Sequence, residues 1–349
     1  MNNAPRPTLL VGSVPLANAE EVLSVAGALL GNTLRSIPDG ETGERIHWFM
    51  WQRQVMEDAS FLSRTRQSSE DPSTVTEQVG LDRYQVRGEL SGARFGKLGY
   101  ADAAIASYKT FARLRDGGKI PPGVRFQVSL PTPLAPMTVM IESKDYEKVE
   151  PLYEQAMREE IEAICRVIPA NELAIQWDVA NEIGILEGIP MVPDREILFP
   201  DPNSDMLRRL LKVASWVPND VALGFHFCYG DYEHKHYMEP KNTRVMVDLA
   251  NAIFRKISRK VDWIHMPVPK ERDDDAYFGP LADLDLPAGT QLYLGLVHYT
   301  DGLEGGKRRI ATAQRHVPAF GVATECGLGR RPPQTIPDVM KLTAALASV

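Results

Sequence analysis

The chain has 349 residues, 24% of them charged, and a formal net charge of −7 at pH 7. No basic stripe runs through it, which excludes a nucleic-acid footprint and leaves small molecules as the expected partners. The opening MNNAPRPTLLVGSVPL lacks a basic segment followed by a long apolar one, and no apolar run approaches the roughly 20 residues of a membrane helix, so the expected location is cytoplasmic with no membrane partner.

Short β-branched runs alternate along the chain with longer helical patterns, the rhythm of parallel strands joined by helical crossovers. The predicted strands are TLLVGSV (8–14), NTLRSIP (32–38), VRFQVSL (124–130), LAIQWDV (173–179), VALGFHF (221–227), DWIHMPV (262–268), QLYLGLV (291–297) and FGVATEC (320–326). Eight such strands match a (β/α)8 TIM barrel. Amphipathic stretches with apolar residues at i, i+3, i+4 and i+7 fall between them, among them YADAAIASYKTFARLRD and TRVMVDLANAIFRKISRK. The polar, turn-rich segment from about 60 to 100 interrupts the rhythm after the second strand and reads as an insertion capping one end. No repeat or linker divides the chain, so residues 1–349 are read as a single barrel domain.

Catalytic groups of such barrels come from the C-terminal ends of strands and the loops just after them. Gly12 and Ser13 follow the first strand here, and DGETGER (39–45) follows the second. Asp178, Asn181 and Glu182 follow the fourth, His226 and Cys228 end the fifth, and His265 sits in the sixth. His298 and Asp301 follow the seventh, and Glu325, Cys326 and Gly327 follow the eighth. His226 and Cys228 are two apart in a strand, so both project to one face while Phe225 and Phe227 face the other. Taken alone the pair fits two buried core residues as well as it fits a metal grip. A second cysteine, Cys326, and the histidines at other strand ends favour the metal, with His226, Cys228, His265 and Cys326 as candidate ligands and Zn(II) as the ion that suits imidazole and thiolate. Cys165 lies at helical spacing from Ile161 and Ile168 and reads as core filler. The three cysteines, an odd number spread thinly, speak against a disulfide framework.

In DGETGER, Asp39 and Glu41 are candidates to grip an ammonium or hydroxyl group; a solvated turn with Glu41 as helix cap fits the stretch equally well. Glycosidase-like chemistry pairing Glu41 with Asp178 or Glu182 is a further option that would leave the thiols without a role. His234 and His236, in the charged stretch DYEHKHYMEPKN, read as a solvated loop.

Read together, these motifs resemble the C-terminal catalytic barrel of cobalamin-independent methionine synthase, in the wider group of uroporphyrinogen decarboxylase-like barrels. VGSVP (11–15) resembles the family's Ile-Gly-Ser-Phe-Pro, DGETGERIHWF (39–49) its His-Gly-Glu segment, and IQWDVAN (175–181) its Ile-Gln-Ile-Asp-Glu-Pro-Ala. His226-Phe-Cys228 matches the zinc motif His-x-Cys, and ECGLGRR (325–331) the distal Asp-Cys-Gly segment. The resemblance implies that Ser13 binds an amino-acid carboxylate, that Glu41 and Asp178 hold its amino group, and that Cys326 is the third zinc ligand. The family's further ligand is a glutamate where this chain has WIHMP, so His265 stands in its place; the family's catalytic histidine has no secure match, with His298 nearby. The activity implied is zinc-dependent methyl or alkyl transfer to a small-molecule thiol such as homocysteine, with His298 or Asp301 assisting the leaving group. Two other readings use the same barrel: a metal-assisted lyase or decarboxylase acting on a small carboxylated substrate, and a non-catalytic zinc-binding barrel.

Overall fold

A computed structural model describes residues 4–65, 82–192, 194–230 and 236–349. Eight parallel strands form one sheet in the order β1-β10-β9-β8-β7-β6-β5-β2. These are β1 (Thr8–Leu9), β2 (Ser36–Pro38), β5 (Arg125–Pro131), β6 (Leu173–Val179), β7 (Ala222–Phe227), β8 (Trp263–Pro267), β9 (Gln291–Val297) and β10 (Gly321–Thr324). A parallel bridge between Thr8 and Leu34 joins the two outer strands, so the sheet closes into a barrel flanked by helices. Each strand lies inside its predicted run or within one residue of it, though β1 and β2 are only 2 and 3 residues long. Their chain is tied by side chains instead: the Gln127 and Gln176 amides and the Ser129 hydroxyl all donate to the carbonyl oxygen of Val11.

Period-two alternation assigns the faces. On β6 and β7 the residues Ile175, Trp177, Val179, Leu223, Phe225 and Phe227 point outward and are fully buried beneath the helices. The opposite residues fill the barrel in tiers. Leu9, Ala174, Ala222, Trp263, Tyr293 and Ala323 form an apolar plug of their own. Above it come the linked amides Gln127 and Gln176, and at the next tier Asp178, His226 and His265 stand in register on neighbouring strands. The plug constrains its neighbour: a Cβ on Gly224 would lie 1.9 Å from the Trp263 ring. We expect Gly224→Ala to cost about 3 kcal/mol through overpacking, read as a lower urea midpoint at unchanged m-value.

Helix ends are fixed by side chains in the positions expected of caps. Asn18 accepts from the Glu21 N–H at the start of the helix Ala19–Leu30, and Asp201 caps the helix Pro202–Ser215, which has proline at its first position. The Glu160 carboxylate accepts from the N–H groups of Leu98, Gly99 and Ala101, at the start of the helix Tyr100–Asp116. Cys165 packs half-buried against the core from the helix Tyr146–Val167, and burial raises its thiol pKa to about 11, as suits an inert filler.

Within the insertion, β3 (Leu62–Thr65) and β4 (Arg83–Val86) pair antiparallel. The buried Arg83 guanidinium donates to the carbonyls of Thr138 and Ile141, at the helix Leu134–Met140 that follows β5, so the hairpin is seated at the C-terminal end of the barrel. The middle of the predicted insertion, 66–81, lies outside the described residues.

Candidate functional site

The inward face of β7 carries His226, Cys228 just past the strand end continues that face into the barrel mouth, and the turn after β10 brings Cys326 to them. Cys326 Sγ is 3.6 Å from Cys228 Sγ and 3.6 Å from His226 Nε2. The three donor atoms lie within 4.8 Å of one another, the only such group of three or more His, Cys, Asp or Glu ligands among the described residues. Burial lowers the His226 pKa well below the ordinary histidine range, with His265 adding to the effect, so its imidazole is neutral and able to donate a lone pair. One imidazole nitrogen and two sulfurs at this spacing are a donor set that suits zinc.

His265, the fourth candidate ligand, stands apart from this group. Its Nδ1 is 2.7 Å from His226 Nδ1 and its Nε2 is 3.1 Å from the Thr324 carbonyl oxygen, so both nitrogens are occupied. Its burial lowers its pKa to about 3.

Beside the cluster, Asp178 is the register partner of His226 on the adjacent strand. Burial raises its pKa to about 7, while the Gln176 amide at 2.9 Å and the nearby Trp48 indole N–H favour its ionised form. Glu41 is raised well above the usual carboxylate range, first by burial and next by the charge of Asp178. Its backbone lies in the left-handed region at φ 50°, between Gly40 at 81° and Gly43 at 73°. Asp39 holds that strained turn: it accepts from the Glu41 N–H at 2.9 Å, from Ser107 Oγ at 2.7 Å and from Arg45 Nη2 at 2.6 Å. With those donors on its carboxylate, Asp39 braces the Glu41 turn at the pocket wall. Gly12 completes the arrangement, because a Cβ there would come 3.0 Å from Glu41 Oε1. A pocket opens at this turn, lined by Asp39, Glu41, Arg45, Tyr100, Gln127 and Ser129 among others; the thiol cluster does not line it.

Ser13 locks the loop that carries Cys326. Its carbonyl accepts from the Leu328 N–H at 2.7 Å and its hydroxyl from the Gly329 N–H at 3.2 Å. His298 is buried and its Nε2 donates to the Val268 carbonyl at 2.8 Å, which leaves Nδ1 facing Glu325 Oε2 at 3.9 Å. Burial lowers its pKa, partly offset by the charge of Glu325. Asp301, offered by the sequence as an alternative proton donor, is committed elsewhere. Its carboxylate forms a two-pronged pair with the fully buried Arg309 at 2.7 and 2.9 Å. Burial alone would raise its pKa, but the hydrogen bonds and charge of Arg309 outweigh that and hold it below the ordinary range.

No protein-family profile matches the chain, and no curated sequence matches it. Solved structures do. A vitamin-B12-independent methionine synthase from Shewanella sp. W3-18-1, in complex with selenomethionine, superposes with a TM-score of 0.62 at 16% identity, covering 99% of this chain and 97% of that one. A protein from Listeria monocytogenes assigned as a vitamin-B12-independent methionine synthase gives 0.61 at 14% identity, covering 99% and 98%. The chain shares its fold with these proteins along nearly its whole length. At such low identity the likeness establishes architecture, and chemistry has to be argued from the side chains.

Three further residues surround the site: His236, Trp48 and Glu182. His236 is no solvated loop residue: its Nε2 lies 3.0 Å from Glu325 Oε1, its Nδ1 lies 3.1 Å from Glu239, and its ring packs edge-on against Tyr229. Burial alone would lower its pKa, but the bond to Glu325 and the surrounding negative charge raise it to about 9. Its companion His234 lies outside the described residues. Trp48 has a strained backbone at φ 58°, with its buried indole N–H directed toward Asp178. Glu182 is fully buried, accepts from Thr132 Oγ1, and has its pKa raised to about 7 by burial. The sequence places His47 and Trp48 at the start of the crossover after DGETGER, where they could line the pocket mouth, and only the order of charges around DYEHKHYMEP hinted at His236.

Proposed function

We propose that the chain is a zinc-dependent enzyme that transfers a methyl or other alkyl group to the thiol of a small amino-acid-like acceptor. The observation that carries this reading is the convergence of His226, Cys228 and Cys326 at one mouth of the barrel. These three residues would hold the ion, and a zinc centre with an open position lowers the pKa of an entering thiol so that sulfur is nucleophilic at neutral pH.

The chain's own groups supply the rest. Burial favours protonation of both Glu41 and Asp178; an ammonium group bound beside them would stabilise both as carboxylates, so that binding orients the acceptor and releases protons. Ser13, which fixes the Cys326 loop, is assigned to the acceptor carboxylate. His298 rests neutral with Nδ1 unprotonated. It can take the proton that the thiol gives up and return it to the leaving atom as the new sulfur–carbon bond forms and the bond to the donor breaks.

The test is elemental analysis followed by thermal shift with homocysteine and with homoserine, which differs by having a hydroxyl in place of the thiol. We expect about one zinc per chain and a stabilisation near 2.7 kcal/mol at a hundredfold excess of homocysteine over its Kd, lost with homoserine or a chelator. Equal shifts with both compounds, or turnover of a carboxylated substrate with no thiol present, would refute thiol transfer.

A further inference from the structure

We infer that His265 is a positioning residue for the metal centre: it fixes His226 in the one tautomer that can bind an ion between Cys228 and Cys326, and is not itself a ligand. The zinc reading above is needed only for the metal part of the test.

One atom at this pair can act in one way only. The Thr324 carbonyl oxygen accepts hydrogen bonds and cannot donate, so His265 Nε2, 3.1 Å away, carries the hydrogen. The two rings are 0% and 2% exposed, where a charged imidazolium is disfavoured. A neutral ring has one N–H, so His265 Nδ1 is bare and accepts. Its neighbour at 2.7 Å is His226 Nδ1, which must donate. His226 Nε2 is therefore the bare nitrogen, and it is the atom that lies 3.6 Å from Cys326 Sγ. Register makes the relay possible, because His226 and His265 are direct partners on β7 and β8 and point to the same face.

Turning His265 toward an ion would break one of these two bonds and strand a buried donor or acceptor, at a cost of about 1–3 kcal/mol. The protein then supplies three donors. Two thiolates would balance the charge of a divalent ion. Hydrogen-bonded partners of this kind set the tautomer and orientation of ligating histidines in other metal sites, and losing them weakens metal binding about 10–100-fold.

Two variants and two readouts test the relay. His265→Phe keeps the ring volume but removes both nitrogens; His265→Asn keeps an acceptor at the position of Nδ1. In metal-free wild-type protein, nitrogen-15 NMR of the histidine rings should show Nδ1–H for His226 and Nε2–H for His265, and His265→Phe should abolish the preference at His226. Zinc titration should give one ion per chain in every case, with an affinity about 10–100-fold lower for Phe and largely restored for Asn. The inference is overturned if His226 carries its hydrogen on Nε2 in the metal-free protein, if Phe binds zinc as tightly as wild type, or if X-ray absorption of the zinc protein finds two imidazoles on the ion. Wild-type protein with the expected tautomers but no zinc affinity would instead refute the zinc reading and leave the relay standing.

Discussion

Cys326→Ser is expected to give a folded protein that no longer retains zinc and no longer transfers an alkyl group to thiols. A serine hydroxyl does not ionise near neutral pH and is a poor ligand for a borderline-soft ion, so the variant keeps only His226 and Cys228. If three protein ligands share about 10–16 kcal/mol of zinc binding, the loss of one costs at least about 3 kcal/mol. That is more than about a hundredfold in affinity. Cys326 is only partly buried and its loop is anchored through Ser13, so the barrel should survive the change. Far-UV circular dichroism and the thermal midpoint of the metal-free forms check that survival, and elemental analysis after gel filtration gives the main readout. Full zinc content with full activity would reject the cluster as the reactive centre.

Glu41→Gln is expected to separate binding from stability. The glutamine resembles protonated Glu41 and cannot become a carboxylate when an ammonium group arrives, so the acceptor loses one charge-assisted bond. Bonds to charged groups contribute about 1.5–3 kcal/mol, which corresponds to a KM roughly 10–100-fold higher for an amino-bearing thiol. An acceptor without the amino group should show a much smaller change. Stability should move the other way at alkaline pH. Both Glu41 and Asp178 have folded pKa values above their unfolded ones, the latter at about 7. Between about pH 4 and pH 7 the folded protein therefore binds more protons than the unfolded chain, and stability falls as pH rises through that window. Each such group contributes at most about 1.4 kcal/mol per pH unit there. Removing Glu41 removes one of these contributions, so urea midpoints should decline less steeply from pH 5 to 8 and end higher than wild type at pH 8. An unchanged KM together with the flatter decline would show that the buried pair serves the fold alone.

Much of this site is readable because strand geometry is local. That His226 and Cys228 share a face follows from their separation by two, and that strand ends carry the chemistry follows from the closure of a parallel barrel. The roles of Asp39, Asp301 and His265 were beyond such reasoning. Each is a polar residue in the expected place that also contacts another side chain or turn: Asp39 the Glu41 N–H, Asp301 the Arg309 guanidinium, His265 the ring of His226. Whether a side chain at a strand end faces a ligand or a partner depends on neighbours that are distant in sequence. Arg309 is 8 residues beyond Asp301, but Thr324 is 59 residues from His265.

The amino-acid sequence by itself determined the eight strands, their order of alternation with helices, and which residues of each strand look inward, since these depend on periods of two and 3.6 within short windows. Tertiary structure alone decided that Cys326 meets residues about a hundred positions earlier, that Glu41 is buried within reach of the charge of Asp178, and that His236 turns inward to Glu325. The physical reason is that barrel closure, strand register and burial set those distances and local dielectric, and none of the three exists until the whole chain has wrapped around one axis.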